Sequence, residues 1–259
     1  MITTSNNAKV RKVLQLQKKS KLRKEERLFI VEGPKMYEEL PVERIESVFV
    51  SESFYHAPEN KALLRKYEYE VVKDAVFADM SDTKTPQGIL AVAAQYRYEL
   101  ADLLPKKRPP FLLVLEQIQD PGNLGTMIRT GEAAGITGVI MSQDTVDIYN
   151  PKVIRSTMGS LYRVPFFVAD DLSAVLTRLK GEGIAFYAAH LKGIQHYDAC
   201  DYRTACGFLI GNESNGLSDQ VAELADCKIR IPMTGKVESL NAAAAATILM
   251  FEGARQRRV

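Results

Sequence analysis

Short apolar runs recur along this chain and alternate with segments of helical spacing. Residues 9–24 place Val10, Val13, Leu14, Leu16 and Leu22 among many basic side chains, which predicts a basic helix. Leu28-Phe29-Ile30-Val31 reads as a strand, and Glu32-Gly33-Pro34 as the turn opening a helix through Tyr37 to Leu40. Further strands are predicted at 45–50, 69–72 and 88–94, with helical material between them, so residues 1–98 form a small α/β unit. Residues 99–110 carry three prolines and three basic residues, a linker composition. Beyond it, strands predicted at 111–115, 138–141, 164–168, 184–189, 206–210 and 228–231 alternate with helices at 124–134, 151–159, 172–180, 219–225 and 240–255. That alternation predicts an α/β domain over 111–259, with a mostly parallel sheet covered on both faces. Ligands of such sheets sit at the carboxyl ends of the strands.

Composition narrows this picture mainly by exclusion. A chain of 259 residues, 46% hydrophobic and 25% charged, is globular, with room for one large domain or two modest ones. The longest uncharged run, 239–251, has 13 residues, short of the roughly 18–20 of a membrane-spanning helix. No apolar signal segment follows the basic N-terminus, so a cytoplasmic, membrane-free protein is expected. Cys200, Cys206 and Cys227 fit neither zinc nor redox spacings and read as small buried residues; with only His56, His190 and His196 besides, no metal is expected. The net charge of +2 hides an asymmetry. Residues 1–28 hold nine basic and two acidic side chains, a local +7 that leaves −5 for the rest: a basic arm ahead of an acidic body.

Candidate chemistry gathers at the ends of three apolar strands, after the usual signatures are found missing. Gly122-Asn-Leu-Gly125 is no dinucleotide fingerprint, and neither a phosphate-loop Gly-Lys-Ser/Thr nor a Gly-x-Ser-x-Gly elbow occurs. The first cluster, Glu116 to Gly131, contains Asp120-Pro-Gly turn chemistry, Asn123 as a candidate helix cap, and Arg129, which reads as a solvated helix charge or as a site residue. In the second, Phe208 to Leu217, Glu213 follows an apolar strand between Gly211 and Gly216, either in a plain turn or where backbone approaches a ligand. The third, Ile229 to Ala246, offers Ser239 as an N-cap and five successive alanines that allow close packing, while Asn241 has no evident capping task. A fourth patch, Asn150 to Gly159, carries Lys152 and Arg155, either phosphate contacts or solvated charges. Arg255, Arg257 and Arg258 read as terminal charges.

Taken together, the three blocks resemble the three motifs of the SpoU/TrmH group of SPOUT RNA methyltransferases over 111–255, with Glu238-Ser-Leu-Asn-Ala-Ala the most diagnostic stretch. The N-terminal region is similar to the ribosomal-protein-like RNA-binding domain that many members carry. The resemblance implies a deep trefoil knot in the C-terminal sheet, an exception to ordinary chain topology. It implies S-adenosylmethionine bound through Gly211, Ile231 and Leu240, with Asn212 and Met233 beside them. It implies a homodimer whose sites are completed at the interface, and methyl transfer to a ribose 2′-hydroxyl of structured RNA, ribosomal rather than transfer RNA. Arg129 would stabilise the developing alkoxide and grip a phosphate, oriented by Glu213, while Asn123, Ser239 and Asn241 position ribose and loops. RNA would be captured by Lys18, Lys19, Lys21, Arg23 and Lys24 of the arm, with Lys152 and Arg155. The alternatives are a transfer RNA 2′-O-methyltransferase, a base-nitrogen methyltransferase, which the motif set opposes, and a non-catalytic RNA-binding or assembly factor. Retention of Asn123, Arg129, Glu213 and Asn241 opposes the last.

Overall fold

A computed structural model describes residues 1–258. In chain order its helices and strands are α1 (Ala8–Lys18), α2 (Ser20–Glu26), β1 (Leu28–Glu32), α3 (Pro34–Glu39), β2 (Ile45–Ser51), α4 (Glu52–His56), α5 (Lys61–Leu64), β3 (Glu70–Val72), α6 (Asp74–Met80) and β4 (Ile89–Ala94). There follow β5 (Phe111–Leu115), α7 (Pro121–Ala134), β6 (Gly138–Ser142), α8 (Pro151–Thr157), β7 (Phe166–Ala169), α9 (Leu172–Gly181), β8 (Ala185–Ala189), β9 (Gln195–His196), β10 (Cys206–Ile210), α10 (Asp219–Glu223), β11 (Cys227–Arg230) and α11 (Ala242–Arg257).

Two compact units are built from these elements. The first comprises Met1–Arg97 and, unexpectedly from the sequence, Asp147–Tyr162; the second comprises Tyr98–Val146 and Arg163–Val259.

The first unit holds a four-stranded sheet in the order β1-β4-β2-β3, antiparallel except for the β2–β3 pair. Val10, Val13 and Leu16 lie on one face of α1 and are buried against Ile30, Phe49, Val72 and Val92. Burial of three such side chains is worth about 1.5–3 kcal/mol each, comparable in sum with the about 5–15 kcal/mol stability of a domain. The basic arm is therefore part of the core and no tether. The single helix expected over 9–24 breaks at Lys19, whose backbone is extended (φ −113°, ψ 103°).

That break explains the fate of Arg23. The last carbonyls of α1 lose their helical donors, and the Arg23 guanidinium supplies them: Nη1 donates to Leu16 O at 2.6 Å and to Gln17 O at 3.0 Å. Its Nε and Nη2 donate to Asp147 Oδ2 at 2.9 and 2.6 Å, and Ser20 Oγ donates to the same oxygen at 2.9 Å. Asp147 opens the segment that the first unit takes from the second half of the chain. Tyr149 Oη accepts from Tyr96 N at 2.7 Å and its ring lies 4.9 Å from that of Phe29. Arg155 pairs with Asp82 at 2.8 Å, and Tyr162 Oη donates to Met36 O at 3.1 Å.

The second unit is a seven-stranded, all-parallel sheet in the order β7-β6-β5-β10-β8-β11-β9. Every residue of β5 and β10 is buried, as expected of central strands covered on both faces. The stretch expected as linker is partly core: Leu100 and Leu103 bury on a 3-10 turn, and Leu103 lies so close to Gly138 that a Cβ there would meet its Cγ at 2.2 Å. Cys206 is buried, whereas Cys200 and Cys227 are half-buried rather than fully enclosed. Among the described residues no helix is long and apolar enough to cross a membrane, and no group of three or more His, Cys, Asp or Glu is placed to hold a metal.

Candidate active site

The carboxyl ends of β5, β10 and β11 deliver the three polar clusters to one another. Asp120, not Asn123, caps α7: its Oδ1 accepts from Asn123 N at 2.8 Å, with Pro121 at the first helical position. The Asn123 side chain is thereby released, and its Nδ2 donates to Glu213 Oε1 at 3.0 Å. Glu213 also accepts from the backbone N–H groups of Gln119 and Asp120, each at 3.1 Å. Burial alone would raise the Glu213 pKa, but the Asn123 amide and these backbone donors outweigh it and hold the carboxyl below its usual range.

Asn241 closes the chain of hydrogen bonds. Its Nδ2 donates to Asn123 Oδ1 at 3.0 Å, while its Oδ1 accepts from Ala243 N and Ala244 N at 3.0 and 3.2 Å. So Asn241, which showed no capping task in sequence, is the N-cap of α11, and the cap expected of Ser239 is not made; Ser239 sits exposed in the preceding loop. Polarity along the network is set by its ends. Helix N–H groups demand the Asn241 oxygen and the Glu213 carboxylate demands the Asn123 amino group, so each amide has one orientation.

Arg129 stands apart. It is exposed and has no hydrogen bond or ion pair among the described residues. Six residues separate it from Asn123, about 9 Å of axial rise with side chains about 120° apart. The expected orientation of Arg129 by Glu213 is therefore absent, because Glu213 is committed to Asn123 and the turn before α7.

A cavity of about 760 Å³ adjoins this network, within the roughly 300–1,000 Å³ typical of small-molecule sites. Gly211, Asn212, Ile231, Met233 and Leu240 all line it, with Glu213 and Ser239. A Cβ on Gly211 would lie 2.1 Å from Gly216 C and Leu217 N, so only glycine admits this close backbone approach. Asn212 and Gly216 exchange backbone hydrogen bonds at 3.0 and 2.9 Å, and Gly216 takes a positive φ of 71°. The lining also contains four residues given no role at this site by the sequence: His190, Lys192, His196 and Arg230. His196 belongs to β9, a two-residue polar strand with no apolar signal to reveal it. Its Nε2 lies 3.2 Å from Arg230 Nη2.

The expected RNA contacts belong to the first unit. Lys18, Lys19, Lys21 and Lys24 are exposed on α1, at the break and on α2, with Lys21 3.8 Å from Glu25. Arg23 is a correction: at 3% exposure, with its nitrogens on Asp147 and two carbonyls, it is internal and does not face RNA. Lys152 is exposed on α8, whereas Arg155 is engaged with Asp82.

Comparisons with known proteins identify the family. The family model of the SpoU rRNA Methylase family matches residues 110–251, and that of the MRM3-like substrate binding domain matches residues 7–91. The 23S rRNA (guanosine(2553)-2′-O)-methyltransferase RlmP of Bacillus subtilis is 36% identical over 183 residues, 71% of this chain and 71% of that protein. The SpoU methyltransferase AviRb from Streptomyces viridochromogenes, in complex with the cofactor AdoMet, superposes with a TM-score of 0.88 at 26% identity, over 97% of this chain and 98% of that one. An AdoMet-bound rRNA methyltransferase from Sinorhizobium meliloti superposes with a TM-score of 0.86 at 29% identity, over 98% and 97% of the two chains.

Proposed function

Because the chain belongs to the SpoU rRNA methylase family, we propose that the Glu213–Asn123–Asn241 network and its cavity are the catalytic centre for methylating ribosomal RNA. The protein is an S-adenosylmethionine-dependent RNA 2′-O-ribose methyltransferase, a transferase of class EC 2.1.1. The observation that carries the site assignment is the convergence of all three motif blocks on one hydrogen-bonded chain beside a cavity of cofactor size.

Those residues fit the cofactor. Gly211, Ile231 and Leu240 would hold it, with Asn212 and Met233 beside them, all five lining one cavity of cofactor size. When bound, it supplies a methyl group already activated by the positive sulfonium. What remains for the protein is alignment and charge. Asn123 and Asn241, locked in one orientation, and Ser239 position the ribose and the loops around it. Arg129 brings a cationic guanidinium with several donors in a fixed fork; it stabilises the alkoxide that develops at the 2′-oxygen and grips a neighbouring phosphate. Its lack of an internal partner supports this reading, since it is available to substrate.

Ribosomal rather than transfer RNA is the substrate in this proposal, supported by RlmP and by the substrate-binding likeness of residues 7–91. The exposed lysines of α1 and α2, with Lys152, receive its phosphates. A homodimer, a knotted path through the parallel sheet and action in the cytoplasm belong to the same reading. The dimer is supported by exposed Phe251 on the alanine-rich α11, and the knot by β10, late in the chain, lying between β5 and β8. Incubation with methyl-labelled cofactor and separate ribosomal and transfer RNA, then nucleoside digestion, is the test. Label in a 2′-O-methyl nucleoside of ribosomal RNA is expected; label on a base, or in transfer RNA alone, overturns the assignment.

A further inference from the structure

The loop that walls the cavity is tied to the segment before α7 by more than Glu213. Glu116, at the end of β5 and only 8% exposed, accepts from Ser218 N at 2.8 Å and from Ser218 Oγ at 2.6 Å, so both carboxylate oxygens are used. Asn212 Nδ2 donates to Gln117 O at 2.8 Å. Residues 211–218 are thus fastened to residues 116–123 at their start through Asn212 and Glu213, and at their end through Ser218. Between the fastenings the loop is a closed hairpin with no room for a side chain at Gly211. Gln117 itself is a non-glycine residue at a φ of +54°, with its N–H on Ser142 Oγ at 2.9 Å; the surrounding bonds impose this left-handed conformation.

We propose that Glu116 is a positioning residue that couples the cofactor cavity to the acceptor side of the site. Pinning Ser218, it makes the pose of the 211–218 hairpin and the pose of Gln117 to Asn123 a single variable, so filling the cavity sets Asn123 for the ribose. The inference rests on the reading of the cavity as the cofactor site and of Asn123 as facing RNA. Coupling of this kind is reciprocal: cofactor tightens RNA by the factor by which RNA tightens cofactor.

The test uses the full chain, S-adenosylhomocysteine as the cavity probe and unmodified transcribed ribosomal RNA. In the parent protein, saturating S-adenosylhomocysteine raises RNA affinity at least about fivefold, the lower end of ordinary coupling. Glu116→Ala removes both acceptors of the Ser218 N–H and hydroxyl; it brings that ratio to near one while S-adenosylhomocysteine alone still binds. Ser218→Ala, which removes only the hydroxyl, gives an intermediate ratio and serves if Glu116→Ala does not fold. A ratio equal to the parent's in the folded variants, or no coupling in the parent, overturns the proposal and makes Glu116 merely structural. Failure of the parent to bind S-adenosylhomocysteine at all sinks the underlying reading instead.

Discussion

Arg23 in the first unit and Glu213 in the second each draw together segments far apart in sequence, 124 residues for Arg23 to Asp147 and 90 for Glu213 to Asn123. They differ in what is left over. Arg23 is enclosed, its charge met by one carboxylate and its remaining donors by carbonyls, so nothing is available to a ligand. The Glu213 network borders an open cavity, and the arginine expected to complete it stands without a partner. A charged hub whose valences are all satisfied internally defines a fold. One that leaves a cation and a cavity unmatched is equipped for chemistry.

Breaking the closed hub has the largest expected effect. Arg23→Ala leaves the largely enclosed Asp147 without its counter-ion and destabilises the first unit by about 3–5 kcal/mol, read as an earlier urea transition. Replacing both partners by Arg23→Met with Asp147→Leu recovers most of that loss; failure to recover would show that the carbonyl contacts, and not the ion pair, dominate. At the open hub, Arg129→Ala leaves the urea midpoint unchanged and lowers kcat by about 10²–10³-fold, the scale of one lost transition-state donor. Arg129→Lys retains part of the rate if the role is electrostatic; complete loss in both variants with intact RNA affinity would argue for a specific proton role.

Smaller effects sharpen the contrast. Alanine at Lys18, Lys19 and Lys24 weakens RNA binding and flattens its salt dependence by about 0.7–0.9 in log–log slope per lost phosphate contact, and leaves S-adenosylhomocysteine affinity unchanged. The folded Arg23→Met/Asp147→Leu protein keeps the full slope, because that charge faces inward. The smallest effect is acid linkage at Glu213. Its pKa is lowered in the folded state, so its stabilising contribution is complete above the unfolded value of about 4.3 and is lost as pH falls through the lower folded value. The difference in urea midpoint between the parent and Glu213→Gln should hold from neutral pH down to about that value and then close.

What the sequence made legible follows from how strongly each feature depends on side chains near it in the chain. The fully apolar β5 and β10 announce themselves, and so do the polar clusters that end them. Cap assignments were reversed because Asp120 and Asn123, or Ser239 and Asn241, are chemically equal candidates within two or three positions; only the register of the helix start decides which oxygen meets the N–H groups. Arg23 looked like its lysine neighbours because the break at Lys19, which turns it inward, has no proline or glycine to mark it. The exposed, polar β9 exists only as an edge addition to β11, and its pairing is wholly non-local.

The chain passes between the two units three times, at 97/98, 146/147 and 162/163. A gene segment encoding residues 1–98 therefore does not encode the whole first unit: Asp147, Tyr149 and Tyr162, which close its polar interior, are written inside the catalytic half. Recombination at a point within 99–110 would hand Arg23 a stranger in place of its counter-ion. The first unit is spatially a module, but its residues are encoded on both sides of the second unit's first stretch, and the two are inherited as one.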